Sequence, residues 1–202
     1  GRPHVHQGRR NMIPFPDKKY SIIYADPPWG YTNRATRAAA SKHYPTMTLE
    51  DMKKMPVGVA GGGIAADDCV LFMWATYPML KEALELIEAW GFQYKTIGFQ
   101  WVKQNRSGAG YFMGLGNWTR SNSEACLIAT KGKPKRISAS VRSLVISPVE
   151  RHSKKPAEVR DHIVELMGDL PRIELFARDA APGWDAWGNE APAPADTEGG
   201  TA

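Results

Sequence analysis

Two adjacent prolines, Pro27 and Pro28, close the apolar run at 20–25 and so fix where the first strand of this chain must stop. Each lacks a backbone N–H and holds φ at about −65°, so neither can extend a ladder. The strand ends at Asp26, and Trp29 follows the bend. A carboxylate, rigid carbonyls and an indole are then presented together beyond the carboxyl end of a strand, which is where open α/β sheets bind ligands. Asp-Pro-Pro is also an ordinary turn sequence, with Asp bonding back to the backbone and Pro setting the bend. The tetrapeptide alone does not choose between a turn and a reaction site.

The rest of the chain alternates strand and helix signals. Thr48 precedes an acidic turn with Asp51 three residues on, which predicts a short helix from Leu49. The run at 69–75 is apolar without alternation, as a central parallel strand covered on both faces would be. Pro78 opens a helix to Trp90, with Leu80, Ala83, Leu84, Ile87 and Trp90 as its apolar stripe and Gly91 as its stop. Strands follow at 93–102, 124–130 and 143–146. Pro156 begins a helix whose Val159, Ile163, Leu166 and Met167 face the core, Gly168 stops it, and 172–177 reads as the last strand. Alternation of this kind implies an α/β fold with a doubly wound sheet in three layers. Residues 1–19 read as an N-terminal arm, 20–190 as one domain, and the Pro- and Gly-rich 191–202 as a tail disordered by composition. Gly61, Gly62 and Gly63 follow no strand and read as linker.

No apolar run approaches the roughly 18 residues of a membrane span, and no signal peptide is visible, which predicts a cytoplasmic protein, nucleoid-associated or phage-encoded. Cys69 and Cys126 lie in apolar strand-like runs, where a thiol packs as a small hydrophobe, and the five His show no metal spacing, so no metal is expected. The charge is uneven. Residues 101–160 hold twelve Lys or Arg against three Glu in a chain of net charge +5, so the remainder is net negative. Trp101, Tyr111, Phe112 and Trp118 are mixed among these cations. A solvated basic loop would look similar, but phosphate-neutralising cations interleaved with stacking aromatics suit a nucleic-acid groove. The long segments 30–47 and 103–118 are the candidate active-site loops.

An aromatic amine conjugated into a purine is a poor nucleophile. A carboxylate and a proline carbonyl accepting its two N–H bonds would localise its lone pair, and an indole would stack on the base. The tetrapeptide Asp26-Pro27-Pro28-Trp29 resembles the DPPW motif of S-adenosylmethionine-dependent methyltransferases that modify the exocyclic amine of adenine. The resemblance runs from about 20 to 190 through ordered segments at 44–48, 72–74, 101–103, 116–118, 124–127, 131–132, 153–156, 173–178 and 187–190. The chain is thereby similar to the adenine N6-methyltransferase family that includes the catalytic subunit of the eukaryotic messenger-RNA adenosine methyltransferase and short phage and bacterial proteins.

That resemblance implies a Rossmann-like fold with a mostly parallel central sheet and a permuted order, target-amine motif first and donor-binding strand last. It implies S-adenosyl-L-methionine as donor and S-adenosyl-L-homocysteine as product. Asp26 and the Pro27 carbonyl would hold the target amine, with Asp26 also facing the donor's amino group, while Pro28 and Trp29 shape the pocket. Lys155 would meet the donor's carboxylate and Arg178 its ribose, while Asn189 and Glu190 would meet its ribose and adenine. Glu174, a carboxylate inside an apolar strand, needs a partner and is expected to hydrogen-bond in the site. On the substrate side the candidates are Tyr31, Tyr44, Arg106, Asn117, Trp118, Arg120, Lys133, Lys135 and Arg136. DNA is the favoured partner. The same reaction on RNA and a catalytically silent nucleic-acid-binding subunit are the alternatives, and monomer or dimer is left open. Two departures stand out: Glu190 replaces a Gln of the eukaryotic enzyme, and the loop 179–184 is short and lacks that enzyme's His-Asn pair.

Overall fold

The computed structural model describes residues 14–29, 47–58, 62–151 and 154–188. One sheet organises them, built from β1 (Tyr20–Ala25), β2 (Ala65–Ala75), β3 (Gln93–Gln104), β4 (Ser123–Lys131), β5 (Leu144–Pro148), β6 (Arg172–Leu175) and β7 (Asp185–Trp187). The strand order is β5-β3-β4-β2-β1-β6-β7. Helices α1 (Leu49–Lys53), α2 (Leu80–Ala89) and α3 (Glu158–Met167) lie along it.

Alternation along the central strands assigns the two faces. Ile23 and Ala25 of β1, with Cys69, Leu71, Met73 and Ala75 of β2, pack with Met52 of α1 and Ala83, Leu86 and Ile87 of α2. Ile22, Tyr24, Val70, Phe72 and Trp74 point the other way, onto Val159, Ile163 and Met167 of α3. Both faces of the sheet are therefore covered, which explains the unbroken apolar run at 69–75 and makes the fold a three-layer sandwich. Thr48 caps α1 as its spacing predicts, its hydroxyl accepting the Asp51 amide at 3.1 Å. Gly91, at φ +80°, ends the turn after α2.

Several expectations need correction. The central strand β2 is parallel to β1 but antiparallel to β4. The crossover from β2 through α2 to β3 leaves a one-strand gap, and β4 fills it by returning from β3 through a hairpin, so β4 must run against both neighbours. The helix after Pro78 begins as a 3-10 turn, Tyr77–Met79, and Leu86 joins its buried stripe while Leu84 is only half-buried. The strand at 172–177 stops at Leu175 and is not the last. A three-residue strand, β7, follows and pairs parallel with β6. It is too short to show a period in sequence.

Candidate active site

The tetrapeptide is built as the prolines require. The Asp26 amide makes the last bond of β1, to the Leu175 carbonyl at 3.4 Å, and the chain then leaves the ladder. Pro27 is buried, and its carbonyl accepts the Trp29 amide at 2.9 Å, which closes the bend. A carbonyl has two lone pairs, so one remains available to a ligand. The Trp29 ring was expected to offer a stacking face. It is only 7% exposed, packed in the core under α1 and α2, and its indole N–H donates to the Trp74 carbonyl at 3.3 Å. Trp29 anchors the turn from beneath.

Strand register brings further charges to the same edge of the sheet. Ala25 pairs with Met73, Ala75 with Ala125, and Glu124 with Trp101, so the start of the reversed strand β4 stands beside the end of β1. Glu124, 7% exposed, takes Lys155 Nζ at 3.1 and 3.3 Å and Lys103 Nζ at 2.9 Å. Lys155 also lies 3.8 Å from Asp26 Oδ2 and over the Trp74 ring. Trp74 in turn donates its indole N–H to the Tyr24 hydroxyl at 2.6 Å. A row of alternating charge therefore runs Lys103, Glu124, Lys155, Asp26. Burial works against the charge on Glu124, but the two lysines outweigh it and hold the carboxyl below its ordinary range. Asp26 goes the other way: burial and the nearby Glu124 keep it above the ordinary range against the pull of Lys155 and Arg178.

A second network lies across the cleft between the ends of β1 and β6, lined by Tyr24, Asp26, Lys155, Glu174, Phe176 and Arg178 among others. Arg160, from the first turn of α3, donates its Nε to Glu174 at 2.8 Å and its terminal nitrogen to Asp179 at 2.9 Å. The expected partner for Glu174 is thus present. Burial still pushes the Glu174 carboxyl up to about 7 against the pull of Arg160. Phe176, between Glu174 and Arg178, has φ +59°, unlike every other non-glycine residue described. Such backbone strain concentrates at functional sites.

Of the expected site residues, Asp26, Pro27, Lys155, Glu174 and Arg178 come together here. Arg106, Asn117, Trp118 and Arg120 lie in the β3–β4 connection, which leaves the sheet at this same edge, and all four are exposed. Lys133, Lys135 and Arg136 are not in the same groove. They follow the far end of β4, where Lys131 pairs with Cys69 and the Lys133 amide donates to Asp68 at 2.8 Å. At about 3.3 Å per residue, the length of β4 puts them roughly 20 Å from Glu124. The basic stretch is continuous in sequence but split by an intervening strand. Tyr31, Tyr44, Asn189 and Glu190 lie outside the described residues. Glu124 and Arg160 carry no role in the sequence reading. Glu124 has the same signal as Glu174, a carboxylate in an apolar strand, whereas an arginine on an amphipathic helix carries none.

The MT-A70 family model matches residues 20–190. The type II methyltransferase M.MunI of a Mycoplasma species is 38% identical over 197 residues, covering 88% of this chain and 80% of its own length. The N(6)-adenosine-methyltransferase catalytic subunit METTL3 of Homo sapiens is 28% identical over 176 residues. That alignment covers 85% of this chain but 28% of the human protein. The Drosophila melanogaster MT-A70-like N(6)-adenosine-methyltransferase is 27% identical over 176 residues, with 27% of its length covered.

Proposed function

The chain belongs to the MT-A70 family, and on that premise we propose that it transfers a methyl group from S-adenosylmethionine to the N6 amine of adenine in DNA. The observation that carries this reading is the meeting, at one sheet edge, of Asp26 with Lys155 at 3.8 Å beside the cleft holding Glu174 and Arg178. This donor set fits the methyl donor. Lys155, at the approach to α3, suits its carboxylate, a carboxylate such as Asp26 suits its ammonium group, and Glu174 and Arg178 suit ribose hydroxyls. Bound there, the donor supplies an electrophilic methyl on a sulfonium.

Asp26 and the remaining lone pair of the Pro27 carbonyl accept the two N–H bonds of the adenine amine and turn its lone pair toward that methyl. The new N–C bond would form as the S–C bond breaks with its electron pair left on sulfur, and the proton of the N–H held by Asp26 would pass to that carboxylate and on to water. The residues contribute position and fixed charge. DNA is favoured because a type II methyltransferase aligns over most of its own length, and an intracellular setting follows from that substrate. RNA is the second reading, supported by the relatives named as adenosine methyltransferases. Methyl transfer from labelled donor to single-stranded DNA, duplex DNA and RNA, with mapping of the modified base, tests both. Label in RNA alone moves the assignment to RNA, and label in no adenine refutes it.

A further inference from the structure

Between β3 and β4 the chain runs out and back as a folded arm, 105–122, rising from the edge that carries Asp26. Its base is laddered. The Phe112 amide donates to the Lys103 carbonyl at 2.9 Å, the Lys103 amide to Asn122 at 2.8 Å, and the Gly114 amide to Ser121 at 2.8 Å. Beyond the ladder the turn is too tight for side chains at its foot. A Cβ on Gly116 would stand 1.8 Å from the Thr119 carbonyl oxygen, and one on Gly114 2.4 Å from that of Ser121. The apex is therefore a built turn, and it presents Trp118, 98% exposed, with Tyr111, Met113 and Leu115 at alternate exposed positions behind it. An apolar cluster standing in water marks an interaction surface. Charge identifies the partner. Residues 103–123 include Lys103, Arg106 and Arg120 and no carboxylate, and both arginines are exposed. A second copy of this chain would bring like charges together, whereas a polyanion with stacked rings complements both features.

We propose that this arm is a duplex wedge: Trp118 enters the base stack of double-stranded DNA where the target adenine leaves it, while Arg106 and Arg120 hold the flanking phosphates. The proposal rests on the adenine-methylation reading above and extends it by giving duplex opening to one residue. An adenine inside a duplex cannot reach Asp26, and an indole filling the gap offsets the lost stacking.

The test uses one oligonucleotide, single-stranded and duplex, containing an adenine that the parent protein methylates in bulk DNA. Trp118→Ala is expected to lower kcat/KM roughly ten- to a hundredfold more on the duplex than on the single strand. Trp118→Phe should recover part of the loss, and so should a mismatch opposite the adenine. With 2-aminopurine in place of the target, the parent should brighten its fluorescence and Trp118→Ala should not. Equal losses on both forms, or none on the duplex, overturn the wedge. So does a change from dimer to monomer in sedimentation with an unchanged duplex-to-single-strand ratio. A parent that methylates adenine in neither form overturns the underlying reading, an outcome distinct from any result with the variant.

Discussion

Glu124 and Glu174 are the same residue type, both enclosed and both on strands that reach one edge of the sheet, yet their surroundings move them in opposite directions. Glu124 is clasped by two lysines and held below the ordinary carboxylate range. Glu174 has one arginine, which it shares with Asp179, and burial raises it to about 7. Burial opposes ionisation in both. What differs is how many cations each carboxylate has to itself, and that number decides which one is a fixed charge and which one titrates near neutrality.

The lysine side of this comparison is the side proposed to do chemistry, so the largest effect belongs to Asp26. Asp26→Ala should lower methyl transfer by roughly a thousandfold or more, the scale of removing a positioned electrostatic partner. Rapid turnover by this variant would remove Asp26 as the acceptor of the amine. Breaking the clasp comes next. Glu124→Gln removes the anion that Lys103 and Lys155 share, although Lys155 keeps Asp26, and should destabilise the fold by about 3 kcal/mol in urea unfolding, as removing one member of a buried pair does. Glu174→Gln at pH 8 should cost about 1 kcal/mol or less, because Arg160 keeps Asp179 and an ionised buried carboxylate is lost. Equal losses in the two variants would erase the distinction drawn here.

Lys155→Ala and Arg178→Ala should each weaken binding of S-adenosylmethionine by about 1.5–3 kcal/mol in calorimetry, the range for hydrogen bonds to charged groups. pH separates the two carboxylates further. The folded-state pKa of Glu174, about 7, is above the ordinary 4.5, so its retained proton stabilises the fold fully below that lower value. The contribution is lost as pH rises through 7. Stability of the parent relative to Glu174→Gln should therefore decline across this window, and a flat difference would place Glu174 with Glu124. The smallest effects are expected among the basic side chains at the two ends of β4. Replacing Arg106 and Arg120 by Gln should flatten the salt dependence of duplex binding by about 0.9 in log–log slope for each phosphate no longer neutralised. Replacing Lys133, Lys135 and Arg136 should leave methylation of a short duplex nearly unchanged, and an equal slope change in both sets would show that the far edge also touches DNA.

Local chemistry made much of this legible in the sequence. The two prolines place the end of β1, Thr48 places α1, and the unbroken apolar run places β2 at the centre. Lys155 and Arg178, singled out in the sequence by resemblance alone, lie at the edge that carries Asp26. Pairing information was hidden. That β4 is inserted between β2 and β3 follows from long-range register, and no local pattern encodes it. The split of the basic stretch and the arrival of Glu124 beside Lys155 are both consequences of that register. Trp29 misled for a related reason: an indole beside a turn suits a stacking face or an anchor equally well, and only the core beneath it decides.

Because β4 runs backwards, the site takes its contribution from the two roots of a hairpin, Lys103 and Glu124, tied across to each other at 2.9 Å. Anything spliced between those roots changes what the protein touches without altering strand register below them. The enzyme thus carries a socket at its working edge. Exchange of 105–122 between relatives is expected to leave β3 and β4 in register and, on the wedge proposal, to carry duplex preference with it as a single segment.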